Sequence, residues 1–190
     1  MPPGPAGGPH RLLPHPAVPA SAVDELSVRL ARIGDALILE YALVGDLARL
    51  QLPEPRPPVR SDGLWRHTCF EAFIGREAAA DYWEYNFSPS GAWAAYHFTG
   101  YREGMAPLMK GTAPAITSTL GERRLDVEVT IDLTFLARGA ADLDARLGLS
   151  AVIEDKSHTL SYWALAHPSE KPDFHHIAGR VLPLAPAPLG

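Results

Sequence analysis

Residues 64–98 read LWRHTCFEAFIGREAAADYWEYNFSPSGAWAAYHF, and their period is two. Aromatic and β-branched side chains alternate with polar ones, the pattern of a strand with two unlike faces. In 66–74, His67, Cys69, Glu71 and Phe73 fall on one side and Thr68, Phe70, Ala72 and Ile74 on the other. In 82–87, Trp83, Tyr85 and Phe87 oppose Tyr82, Glu84 and Asn86. Ser88-Pro89-Ser90-Gly91 supplies turn chemistry, and 92–98 returns as the antiparallel partner. Such a meander cannot be folded into a helical domain.

The remaining chain repeats the theme. Leu26, Val28 and Leu30, then Leu37, Leu39, Tyr41 and Leu43, alternate on either side of Gly34-Asp35, a hairpin signal that competes with a helix over 22–33. Val127, Val129 and Ile131 alternate with Asp126, Glu128, Thr130 and Asp132 in the clearest half-buried strand. Strands are also expected at 115–120, 149–154 and 160–165, with a strand or tail at 181–184. A short helix is expected within 134–147. Pro53, Pro55, Pro57 and Pro58 make 51–61 a stiff surface connection. Helices long enough for βαβ crossovers are missing. The expected fold is therefore all-β: an antiparallel, immunoglobulin-like sandwich of eight or nine strands with little helix.

A chain of 190 residues suits one domain, here 21–190, preceded by a Pro/Gly-rich arm over 1–20 expected to be loose or extended. A net charge of −5 offers no basic surplus for phosphates, which excludes a nucleic-acid binder. Cys69 is the single cysteine, so no intramolecular disulfide framework exists. The opening residues lack a basic start followed by an apolar run, and no stretch approaches the ~20 apolar residues of a membrane helix. A cytoplasmic protein without a membrane or nucleic-acid partner is expected. Its oligomeric state is not readable.

The stretch LWRHTCFEAFI followed by YWEYNFSPSGAWAAYHF resembles the DOMON-like domains related to family 9 carbohydrate-binding modules. Trp65, Glu71, Phe73, Ile74, Asn86, Ser88, Pro89 and Gly91 carry the resemblance, together with the closing PDFHH of 172–176. The likeness spans roughly residues 23–184. It implies a sandwich that holds either a saccharide or a b-type haem, the latter on Met with His or Lys. Family members attached to secreted catalytic domains carry an export signal, which this sequence does not display.

The residues themselves supply candidates of both kinds. Tryptophan gives a flat face for the C–H side of a pyranose plus one N–H. Trp83 and Trp163, flanked by apolar neighbours, read as core; Trp65 and Trp93, beside turns, read equally as core or as stacking platforms. Glu71, Glu84 and Asn86 would share one sheet face, where a buried carboxylate needs partners such as Arg66, His97, Arg102 or a ligand. A structural network explains them as well as a site does, and a glycosidase carboxylate pair would look similar. The expected ligand-binding set is Trp65, Glu71, Asn86, Trp93, His97 and Arg102, with Asp173 and His175 at the rim. His67 with Cys69, and His175 with His176, match no metal-ligand spacing, so no metal is expected. Met105, Met109 and Lys110, with His97, His167, His175 and His176 elsewhere, keep haem b as the alternative cofactor to none; no C-x-x-C-H exists for covalent attachment. No P-loop, dinucleotide fingerprint or nucleophile elbow is present. The reading is a non-catalytic domain for a small polar ligand such as a saccharide, with a haem domain and a glycoside-processing hydrolase as alternatives.

Overall fold

The computed structural model describes residues 8–18, 22–108, 113–134 and 145–184. Among the described residues, thirteen strands join in one curled, half-barrel sheet. They are β1 (His10–Pro14), β2 (Val23–Ile33), β3 (Ala36–Gly45), β4 (Val59–Arg60), β5 (Cys69–Arg76), β6 (Tyr82–Phe87) and β7 (Ala92–Phe98). After them come β8 (Ala106–Pro107), β9 (Ala115–Leu120), β10 (Arg124–Asp132), β11 (Ala145–Glu154), β12 (Leu160–Ala164) and β13 (Leu182–Pro183). The hydrogen-bonded order is β4-β7-β6-β5-β11-β12-β1-β2-β3-β10-β9, with β8 beside β7 and β13 beside β11. Among the described residues, helix is confined to single 3-10 turns such as Leu64–Arg66 and Ile177–Gly179.

The all-β expectation holds, with more strands than the eight or nine foreseen. The additional ones are β4 and β8, two residues each and too short to show alternation, and β1, which lies in the Pro/Gly-rich arm; β13 falls where a strand or tail was expected at 181–184. His10–Leu12 pair with β2 and Leu13–Pro14 with β12, so this one strand connects the two halves of the sheet. The proline-rich connection does run at an edge, where β4 lies parallel to β7. Val23–Ile33 form a strand where a helix over 22–33 competed. The short helix foreseen within 134–147 falls mostly on 135–144, outside the described residues; 145–147 begin β11.

The halves face each other across one core. In β3 and β10, Leu37, Leu39, Tyr41, Leu43, Leu125, Val127, Val129 and Ile131 are all buried, while the residues between them are half-buried or exposed. Each such aliphatic burial contributes about 1.5–3 kcal/mol. From the other half come Phe70, Ala72, Ile74, Tyr85, Phe87, Leu149 and Ala151. Tyr41 spans the interface: its ring lies 5.0 Å from that of Phe70, and its hydroxyl donates to the carbonyl of Glu71 at 2.8 Å.

The half built from β5, β6, β7 and β11 differs in being buried on both faces. Its second face carries Glu71, Glu84, Asn86 and Ser150 among aromatic side chains, all four buried. A sheet face that is both polar and covered is where a site belongs.

Candidate functional site

On that second face lies a cavity of about 360 Å³. Its floor is Glu71 and Phe73 of β5, Glu84 of β6, Phe98 of β7, Val152 of β11 and Tyr162 of β12. Trp65, Arg102 and Met105 from the flanking loops, and Pro172, Phe174 and His175 from the segment after β12, form its walls. Register puts the floor residues together. Glu71 pairs with Asn86 and Phe73 with Glu84 across β5–β6, and Ser150 pairs with Glu71 across β5–β11. Glu71 and Glu84 are thus diagonal neighbours on one face, about 7–8 Å apart at the backbone.

Both carboxyls are buried. Oε2 of Glu71 accepts the Ser150 hydroxyl at 3.1 Å, and Oε1 of Glu84 accepts the Asn86 amide at 2.6 Å. Burial, then the charge of Glu84, pushes the Glu71 carboxyl well above the usual carboxylate range. Burial likewise pushes Glu84 up to about 7, against the opposing pull of Asn86 and Arg102. Near neutral pH the pair therefore holds at least one proton and can both donate and accept.

The walls are braced from behind. Gly63, at φ 79°, reverses the chain so that the 3-10 turn presents Trp65, whose ring meets Tyr96 edge-on at 5.9 Å. Arg102, at φ 57°, donates from its guanidinium to Asp173 at 2.9 Å. Asp173 also accepts the Tyr101 hydroxyl and, at 3.1 Å, the backbone N–H of His175. Despite burial, the bonds from Tyr101 and Arg102 hold the Asp173 carboxyl below its usual range. Tyr82 joins the two wall segments. Its hydroxyl accepts the backbone N–H of Arg102 at 3.2 Å and lies 2.7 Å from Nδ1 of His175. Burial and the nearby Arg102 lower His175 to about 4, so it is neutral. With the Tyr82 proton directed at Nδ1, the His175 proton sits on Nε2, 3.7 Å from Oε2 of Glu84.

Of the residues expected from sequence, Trp65, Glu71, Arg102 and His175 meet in this cavity. Asp173 stands behind Arg102 as its counter-ion. Asn86 is fully buried and holds Glu84 rather than lining the void. Trp93 and His97 lie elsewhere. In β7 the cavity side is taken by Ala94, Tyr96 and Phe98, and the intervening residues turn to the other face. There Trp93 packs on the main core, while His97 bonds Asp81 at 3.3 Å and tilts against Trp83. Trp163 is core, hydrogen-bonded to Ser161 at 3.0 Å. The expected ligand-binding set omits Glu84, although alternation puts it on the polar face of Glu71 and Asn86, and Tyr82, Phe98, Tyr162 and Phe174 are not singled out. Glu84 and Tyr82 were within reach, since the alternation of 82–87 places both on the face of Asn86; Tyr162 and Phe174 carry no periodic signal toward the site.

The histidines and cysteine do not converge. Cys69 is buried, its thiol pushed up by burial and the neighbouring Glu71. His67 reaches Glu154 at 2.7 Å, where His158 bonds the other carboxylate oxygen at 2.7 Å. Among the described residues no group of three or more His, Cys, Asp and Glu is arranged to hold a metal ion. Met105, which is 48% exposed, and His175, whose Nδ1 lies beside the Tyr82 hydroxyl, both line the cavity together with the two carboxyls. Met109 and Lys110 lie outside the described residues.

The arrangement suits a polar ring. Trp65, Phe98, Tyr162 and Phe174 offer apolar faces, while Glu71, Glu84, Arg102 and the His175 N–H offer donors and acceptors at fixed positions. No protein-family model matches the sequence, and no curated protein matches it either. Among solved structures, the chain is similar to a candidate carbohydrate-binding protein from Bacteroides uniformis, with 16% identity and a TM-score of 0.62. The superposition covers 90% of this chain and 81% of that one, which establishes a shared β-rich fold.

Proposed function

We propose that this chain is a non-catalytic domain that binds a saccharide in the cavity between Trp65 and the Glu71/Glu84 floor. The observation that carries the reading is the convergence of aromatic faces and fixed hydrogen-bonding groups on one void of about 360 Å³, the size of a small polar ligand. The fold likeness to a candidate carbohydrate-binding protein supports it. Within this reading the two facing halves of the sheet correspond to a DOMON-like sandwich, working in the cytoplasm with a small molecule as partner. Trp65 stacks on the sugar ring, Glu71, Glu84 and Arg102 bond its hydroxyls, and Asp173 and Asn86 hold those groups in place.

A second reading, a glycoside-processing enzyme, draws support from one observation: two carboxyls on neighbouring strands, one pushed up to about 7. Calorimetric titration with a panel of mono- and disaccharides tests the first reading, with Trp65→Ala as control; saturable heats lost in the variant are expected, and no heat with any sugar rejects it. Release of nitrophenol from nitrophenyl glycosides, abolished by Glu84→Gln, would replace it with the second. A stoichiometric Soret band after haem addition would replace both.

A further inference from the structure

The charges around the cavity do not balance. Arg102 is committed to Asp173 at 2.9 Å, and His175 is neutral with its Nδ1 occupied by Tyr82. Among the described residues lining the void, these two are the only bases. Arg102 acts on Glu71 and Glu84 only through space, its guanidinium being bonded to Asp173, so neither carboxyl is hydrogen-bonded to a cation. The other groups turned toward Glu84 are Glu71 from β5, Tyr82 and Asn86 from β6, Tyr96 from β7 and the Nε2–H of His175, none of which carries positive charge. From β11, Ser150 gives Glu71 only a hydroxyl. Two buried like charges one diagonal apart cannot both ionise until a positive charge joins them. The aromatic rings around them present negative faces that favour a cation in the same place.

We propose that the ligand carries an ammonium group and is an amino sugar, its amine against Glu71 and Glu84 and its pyranose face on Trp65. This rests on the saccharide reading and adds the charge of the ligand. A neutral sugar leaves the carboxyl pair protonated; an amino sugar replaces the bound proton with its own charge. Binding then releases a proton near neutral pH, and lowering the pH makes protons compete with the amine. With Glu84 near 7, affinity is expected to fall about tenfold between about pH 7 and about pH 5.5. A neutral sugar should show little change over that interval.

The test is calorimetric titration of the full chain with D-glucosamine, D-glucose, N-acetyl-D-glucosamine and cyclohexylamine, in two buffers of different ionisation enthalpy. Glucosamine is expected to bind at least about tenfold tighter than glucose or the N-acetyl sugar, with a buffer-dependent heat that reports proton release. Glu84→Gln should bring glucosamine down to the level of glucose. The ligand and pH comparisons need only the unaltered chain, so they decide the question even if that variant does not fold. Equal binding of all three sugars overturns the amine while leaving the saccharide reading intact. Cyclohexylamine binding as tightly as glucosamine overturns the sugar and keeps the cation. Silence from all four compounds overturns both.

Discussion

Tyr82 lies 2.7 Å from Nδ1 of His175 while its oxygen takes the backbone N–H of Arg102, so one phenol sets both a tautomer and a loop. Its ring is held from two sides, stacked on Phe98 at 4.8 Å and covered by the Arg180 guanidinium at 4.4 Å. Tyr82→Phe keeps that packing and deletes only the hydroxyl. A loss of about 1–2 kcal/mol is expected in urea unfolding, because a buried imidazole nitrogen and a backbone N–H lose their partner. Nitrogen-15 spectra should show the His175 ring as one neutral tautomer in the parent chain and as a mixture in the variant.

Glu84 should make stability decline as pH rises from about 4.5 to about 7.5, while His175, lowered to about 4 in the folded chain, acts oppositely below about 6.5. Glu84 holds its proton in the folded state up to about 7, whereas an unfolded glutamate releases it near about 4.3. Between those values the native state binds more protons than the unfolded one, so increasing pH favours unfolding. Glu71, raised in the same direction, extends the decline. Asp173 and Glu154 act oppositely: their lowered values give stability that is present above the ordinary carboxylate range and lost in acid. Glu84→Gln should flatten the decline and gain about 1–3 kcal/mol at about pH 8. Parallel profiles for the parent chain and Glu84→Gln from about pH 5 to about pH 8 would mean that Glu84 is not holding a proton.

Trp65→Ala separates binding from folding. The indole is half-buried against Tyr96 and the small outer cluster, apart from the main core. Its removal should change the unfolding free energy by no more than about 1 kcal/mol. Saccharide affinity should fall at least about tenfold, because the stacking face is gone. Tryptophan fluorescence, which should respond to ligand in the parent chain, should cease to do so.

Gly104 governs where Arg102 points. It sits at φ 61°, and a Cβ there would collide with Oγ1 of Thr99 across the turn closed by Thr99 and Glu103. Gly104→Ala therefore strains the turn and displaces Arg102 from Asp173. Weaker ligand binding with an unfolding midpoint close to the parent's is expected, since the loop lies outside the core. A crystal structure of the variant with Arg102 still on Asp173 would contradict this.

Most strands could be read before any coordinates, because period two survives wherever one face is buried. The strands over 82–87, 92–98 and 115–120 fall where alternation placed them, and the shared face of Glu71, Glu84 and Asn86 follows from the same parity. Trp93 and His97 illustrate the limit. The turn over 88–91 sets the register, pairing Trp93 with Phe87 and His97 with Trp83, and so sends both to the core side. Adjacency to a turn leaves Trp93 open to either face, and cross-strand pairing decides between them. The walls were illegible for another reason: loops such as 99–105 and 172–176 have no periodicity, and only tertiary contacts bring Arg102 to Asp173 and His175 to Tyr82. Tyr82 thus reads as an ordinary strand aromatic until its partners arrive.

The strand that closes the sheet has a kinetic consequence. β1 meets β2 nearby in sequence, but its other edge waits for β12, and His15 then bonds the carbonyl of Ser169, 154 residues away. Contacts of such separation come late, since the loop they close must be gathered first. Until then two sheet edges stay open, at β2 and at β12, each able to recruit the wrong strand. Deleting 10–14 should make those edges permanent: the chain would retain its hairpins, lose the joint between its halves, and associate with itself during refolding instead of completing the curl.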